Sequence, residues 1–142
     1  AVIGELVLLS LIWIFVELLE PTKTRIYRAR IGAAFAIAMS WLVFLVGGYY
    51  YVNAYGKQTK PLILAGPWPW GHEILMEAKE HMFIFGPMLV TVVGAIIWVY
   101  REKLIENVGA RRATLALVAV CALGALAMIG MGSLISISSR VR

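Results

Sequence analysis

The sequence has few of the residues on which most soluble enzymes depend. Among its 142 residues there are two histidines and one cysteine, and only 15% of the residues are charged. A single cysteine excludes an internal disulfide and any metal or haem-attachment motif built on paired cysteines. The sequence also has no glycine-rich nucleotide-binding motif, no nucleophile elbow and no HExxH motif. These absences argue against an ATPase, a hydrolase or a metalloprotease of a soluble type.

Apolar residues, by contrast, are abundant. They make up 61% of the chain, and the mean hydropathy is +0.84. A soluble domain of this length has no core large enough for so much apolar sequence, whereas a bilayer accommodates it. The net charge of +5 comes from basic residues that flank the apolar segments. This arrangement indicates contact with membrane lipid and argues against nucleic acid as a partner.

Four apolar segments predict an all-α membrane protein, with one domain of four transmembrane helices in a bundle. The predicted helices cover about residues 2–19, 31–54, 73–101 and 113–138. Proline and glycine residues between the second and third helices predict an outward loop over 56–71. The third helix should extend beyond the membrane at its N-terminal end, and Pro87 should kink it.

The distribution of basic residues predicts the orientation of the bundle. Segments 22–30 and 101–112 lie on the same side of a four-helix protein and carry eight lysine and arginine residues, against five on the other side. The more basic side is expected to be cytoplasmic, so both termini face outward. The expected location is the inner or plasma membrane of a prokaryote.

An ionisable stretch at the start of the third helix is the main candidate for a functional site. Residues 68–81 contain both histidines of the chain and three acidic residues, Glu73, Glu77 and Glu80. Such groups are costly near hydrocarbon unless they are paired, hydrated or bound to a ligand. Glu77 lies one helical turn after Glu73 and one turn before His81, so the three side chains share one face of a helix.

A metal ion is one ligand that this face predicts. Glu73, Glu77 and His81 are the candidate metal ligands, and either Glu80 or Glu5 of the first helix would complete the set. Carboxylate and imidazole ligands without thiolates suit iron, copper, zinc or manganese. The competing interpretation is a hydrated helix extension, because acidic residues in the first turns stabilise a helix through its dipole.

Haem b or a quinone is the other cofactor that the stretch suggests, with His72, Tyr50 and Trp70 as candidate binding residues. His72 and His81 are nine residues apart on one helix and face opposite ways, so they cannot clamp one haem within a single chain. A quinone site near the membrane interface fits better. There, a histidine and a carboxylate would accept protons from the quinol.

The functional prediction is a small integral membrane subunit whose outward Glu/His site serves a metal ion or proton-coupled redox chemistry. Because the chain has little mass outside the membrane, we expect it to act within a larger membrane complex or a homo-oligomer. The small residues of the fourth helix, Gly124, Gly130 and Gly132 among them, predict close packing against a neighbouring helix. The alternatives are a purely structural accessory subunit without a cofactor, and an oligomeric channel or transporter.

Overall fold

The computed structural model describes residues 2–140, and this part of the chain is 92% helical with no strand. Its elements are α1 (Val2–Leu19), α2 (Lys23–Tyr50), a first π-helix (Tyr51–Thr59), α3 (Lys60–Ala65), a second π-helix (Gly71–Met76), α4 (Glu77–Val99), α5 (Arg101–Glu106) and α6 (Val108–Ser138). Four helical stretches are long and apolar enough to cross a membrane: Val2–Leu19, Lys23–Ala65, Gly71–Val99 and Val108–Ser138. The predicted all-α membrane bundle is confirmed.

The four long helices form a ring in chain order. Helix α1 packs against α2 and α6, and α4 packs against the same two helices. The short connections make successive helices antiparallel. We call the end that carries the α1–α2 turn and α5 the basic end, and the end that carries Trp68 and Trp70 the aromatic end. The N-terminus of α1 and the C-terminus of α6 therefore both lie at the aromatic end.

The main core lies in the half of the bundle nearer the basic end. Fully buried apolar side chains from all four long helices meet there, among them Leu11, Ile14, Leu18, Ala29, Ala33, Ala36, Val93, Ile97 and Val118. The alanines recur at helical spacing along α2 and give it a smooth face. At Gly32, a Cβ atom would lie 3.2 Å from Cγ1 of Ile14, so α1 and α2 approach closely here. Small residues permit such an approach between membrane helices.

A buried carboxylate joins α1 to the start of α2 at the basic end. The Nε atom of Arg25 donates to Oε2 of Glu17 at 3.1 Å, and Nε1 of Trp13 donates to Oε1 of Glu17 at 3.1 Å. Arg28 approaches the same carboxylate at 4.0 Å. Because Glu17 is almost fully buried, these three partners provide most of the polar environment that its charge requires.

Two connections expected to be basic loops are mostly helical, so those predictions were wrong. Helix α2 begins at Lys23, because Thr22 Oγ1 accepts a hydrogen bond from the backbone N–H of Arg25 and caps the helix. Within 101–112, α5 is followed directly by α6, which Asn107 caps by accepting from the Ala110 N–H. Charge did not indicate loops here, because a helix that buries one face can carry charged residues on the other.

The predicted loop over 56–71 is also mainly helical. The first π-helix and α3 continue α2 as far as Ala65, and only Gly66–Trp70 form a turn. Pro61 lies in the first turn of α3, at the junction with the first π-helix, where the pattern of backbone hydrogen bonds changes. The third span covers Gly71–Val99, within two residues of its predicted bounds, and α4 continues through Pro87.

Candidate functional site

The acidic residues predicted as metal ligands are mainly exposed. Glu73 and Glu77 lie on the outer surface at the start of the third span, and Glu5 lies on the surface of α1. His81 is also exposed, and its Nδ1–H donates to the carbonyl oxygen of Glu77 at 2.7 Å. This bond is the ordinary local bond of a side chain to its own helix, so Nδ1 of His81 is already used.

The geometry gives the metal hypothesis no support. Within residues 2–140, no three histidine, cysteine or acidic side chains come together in a group that would hold a metal ion. Glu80 is half-buried, but it faces a different environment from Glu5, lining a cavity with tyrosines. Metal binding at Glu73, Glu77, Glu80, His81 and Glu5 therefore stays a prediction from sequence.

The three residues predicted to bind a cofactor lie in different environments. His72 is buried, and its Nδ1 lies 3.0 Å from the hydroxyl of Tyr55, which is buried too. Trp70 is exposed beside Trp68, with 6.2 Å between the ring centroids. Tyr50 lines the cavities described next. The structure thus places only Tyr50 at a cavity and gives His72 a structural hydrogen bond.

A large cavity separates the four helices in the half nearer the aromatic end. It has a volume of about 1210 Å³, and each of the four long helices contributes to its wall. We call it the apolar chamber. Its lining is mostly apolar, including Val7, Val43, Phe44, Phe83, Val90, Met128 and Ile129. A cavity of this size and composition, open to the surface of the bundle, suits a long apolar ligand.

A second, more polar cavity continues from the apolar chamber toward the aromatic end. Its volume is about 660 Å³. We call it the polar chamber, and its polar and charged lining residues are Tyr50, Tyr51, Tyr55, Thr59, Lys79, Glu80, Ser136, Ser139 and Arg140. The two chambers share part of their walls, notably Phe44, Tyr50, Lys79 and Ser136. Together they form one site that changes from apolar to polar along the bundle.

The two π-helices frame the polar chamber. The first contributes Tyr51, Tyr55 and Thr59, and the second ends at Met76, which also lines this chamber. Tyr55 packs with Ile63 and Ile135 in a small second core, so the segment is attached to the end of α6. π-Helical turns occur frequently at functional sites, where they redirect side chains.

Reasoning from sequence did not identify Lys79 or the chambers. Helical spacing predicts that Lys79 shares a face with His72 and Met76. The candidate metal ligands Glu73, Glu77 and His81 are predicted on a different face. The glycines of α6 were predicted to pack closely against a neighbouring helix, and packing against a partner subunit stays a prediction. A Cβ atom at Gly124 would come no closer than 3.9 Å to Met82, and one at Gly130 would meet nothing within 4 Å. Gly124 and Gly132 instead line the apolar chamber.

Comparison of the chain with protein-family models, curated proteins and solved structures gives no significant match.

Proposed function

We propose that this chain is a small integral membrane subunit that binds a lipid-like amphiphile between its helices. The observation that carries the proposal is the pair of connected chambers. The apolar chamber would hold a hydrocarbon or isoprenoid tail, and the polar chamber would hold the head group. Ligands of this kind usually bind in concave, mainly apolar sites with a few polar groups that fix their orientation.

The depth of the two chambers in the bundle supports this interpretation. In the proposed orientation, the basic end faces the cytoplasm and the aromatic end faces outward. The polar chamber then lies near the outer interface, where tyrosine and tryptophan residues are typically enriched. A bound amphiphile would keep its tail within the hydrocarbon region and its head group at the depth of the neighbouring lipid head groups.

Filling the apolar chamber tests the proposal. Gly124 and Gly86 both line it, and a Cβ atom at either position meets nothing closer than 3.9 Å. The double variant Gly124→Phe/Gly86→Phe should therefore occupy the tail site without a clash. The matched control is Ala127→Phe/Gly130→Phe, because both of these residues are exposed on α6 and neither lines a chamber.

The measurement is native mass spectrometry of each variant, delipidated in detergent and then titrated with dioleoyl phosphatidylglycerol and dioleoyl phosphatidylcholine. We expect the wild type and the control to retain lipid, and the chamber variant to lose at least about tenfold in affinity, since tenfold corresponds to only about 1.4 kcal/mol of lost contact. Equal lipid retention by the chamber variant and the control would contradict the proposal.

A quinone is the second candidate ligand, because His81 and Tyr50 both line the apolar chamber. In that case the ring would lie near His81, and the imidazole would exchange protons with the quinol. Decylubiquinone should then bind with micromolar or tighter affinity, and His81→Phe should weaken it. Binding that is unchanged in His81→Phe would argue against proton-coupled redox chemistry at this residue.

Membership of a larger membrane complex is part of the same proposal. The described chain has little mass beyond its helices and exposes many large apolar side chains along all four spans. Gentle solubilisation followed by size analysis should show either stoichiometric partner subunits or a homo-oligomer. A single monomeric species that still binds lipid would leave ligand binding intact but remove the complex from the proposal.

A further inference from the structure

Lys79 occupies the junction between the two chambers. It lies in the first turn of α4 and lines both the apolar chamber and the polar chamber. Its ammonium group lies against α6, since a Cβ atom built at Gly132 would be only 3.1 Å from Nζ. Because Gly132 has no side chain, the ammonium group of Lys79 can lie between α4 and α6.

Within residues 2–140, this ammonium group has no carboxylate within 4.0 Å and no hydrogen-bond partner. Lys79 is also less than fully exposed, and apolar residues such as Met82 and Phe83 line the chamber beside it. A cation in such surroundings is costly unless an anion or water satisfies it. The position therefore favours a ligand that brings negative charge.

The balance of charge in the polar chamber points the same way. Among the residues from 2 to 140 that line this chamber, Lys79 and Arg140 are basic and Glu80 alone is acidic. Ser136 of α6 adds a hydroxyl donor, whereas the hydroxyl of Ser139 already donates to the carbonyl oxygen of Ser136 at 2.8 Å. Together these groups provide donors for the oxygen atoms of a phosphate.

We propose that the amphiphile is a lipid with a net negative phosphate head group, whose phosphate binds the ammonium group of Lys79 while its chains occupy the apolar chamber. This inference rests on the proposed function and specifies the class of ligand. A zwitterionic phosphatidylcholine fits less well, because it would bring a quaternary ammonium into a chamber that already has excess positive charge. A neutral quinone would leave Lys79 without an anion.

The test compares two lipids that differ only in their head groups. Full-length protein, delipidated in detergent, is titrated with dioleoyl phosphatidylglycerol or dioleoyl phosphatidylcholine and analysed by native mass spectrometry. We expect the wild type to prefer phosphatidylglycerol by about tenfold, the range of one hydrogen bond to a charged group. Lys79→Gln should abolish this preference and retain the binding of phosphatidylcholine, which also shows that the variant is folded.

Lys57→Gln is the matched control, because it removes the same charge from an exposed position outside both chambers. It should keep the preference of the wild type. Equal binding of the two lipids by the wild type would overturn the inference, and so would a preference lost equally in Lys57→Gln. In both cases the proposed function would stand. Failure of the wild type to bind either lipid would overturn the proposed function itself.

Discussion

The two halves of this bundle are built from the same four helices, yet they are packed in opposite ways. In the half nearer the basic end, side chains from all four helices are fully buried. In the half nearer the aromatic end, a cavity of about 1210 Å³ lies between the helices and opens to the surface of the bundle. The first half holds the bundle together, and the second contains the space that we propose a ligand occupies.

The difference comes from the size of the side chains that α2 presents along its length. Ala29, Ala33 and Ala36 allow its neighbours to approach in the first half. Farther along, Phe44 stacks on Phe83 of α4 with 5.2 Å between the ring centroids. Phe83 also lies against Gly47, where a Cβ atom would be 2.7 Å from its ring. This aromatic pair fills the space between α2 and α4, and both of its rings line both chambers.

Deleting an apolar side chain in each half should give the largest contrast in stability. Ile97 is fully buried in the core, so Ile97→Ala should lower the free energy of unfolding by about 2 kcal/mol or more. Ile129 lines the apolar chamber, so Ile129→Ala enlarges a space that already exists and should cost less than about 1 kcal/mol. Unfolding in mixed detergent micelles measures both values. Equal losses would show that the two halves are packed alike.

A smaller effect is expected from the ion pair that closes the basic end. The side chain of Glu17 is only 10% exposed, so Glu17→Gln should cost about 1–3 kcal/mol through its hydrogen bonds to Arg25 and Trp13. Glu20 is 88% exposed and also approaches Arg25, and Glu20→Gln should cost less than about 0.5 kcal/mol. The same unfolding experiment measures both. Similar costs would mean that Glu17 is effectively hydrated.

The smallest effect is expected at the aromatic end. Tyr55→Phe removes the hydroxyl that lies 3.0 Å from Nδ1 of His72, and the loss of one buried hydrogen bond typically costs about 1 kcal/mol. Hydrogen exchange should accelerate in the segment from Tyr51 to Ala65, while the core half is unchanged. Tyr49→Phe, at an exposed position, is the control. Faster exchange throughout the bundle would show that the two halves unfold as one unit.

The fold was largely predictable, and the site largely was not. Apolar segments identified the four spans, and α1 (Val2–Leu19) covers the range predicted for the first one. The loops were harder to predict, because charge over 22–30 and proline over 56–71 also occur in irregular structure. Thr22 and Asn107 cap helices in the two charged segments. Pro61 lies in the first turn of α3, so the helix continues through the segment that contains the prolines.

The described residues do not bring the predicted metal ligands together in a group that would hold a metal ion. Helical spacing predicts that Glu73, Glu77 and His81 share one side of a helix, but it does not say what that side faces. Here Glu77 and His81 are both exposed, and the buried histidine, His72, is bound to Tyr55. Lys79 of α4 lines both chambers. Nothing in the sequence distinguishes it from any other lysine near the membrane interface.

The sequence by itself determined that the chain is a four-helix membrane protein, because hydropathy and length are properties of each segment taken alone. Only the tertiary structure decided that the bundle is closed at one end and hollow toward the other. That outcome depends on pairs of side chains from different helices, such as Ile14 with Gly32 and Phe44 with Phe83. These contacts between helices determine how closely the helices approach one another. The two chambers lie where the approach is less close, and a ligand bound there would meet Lys79.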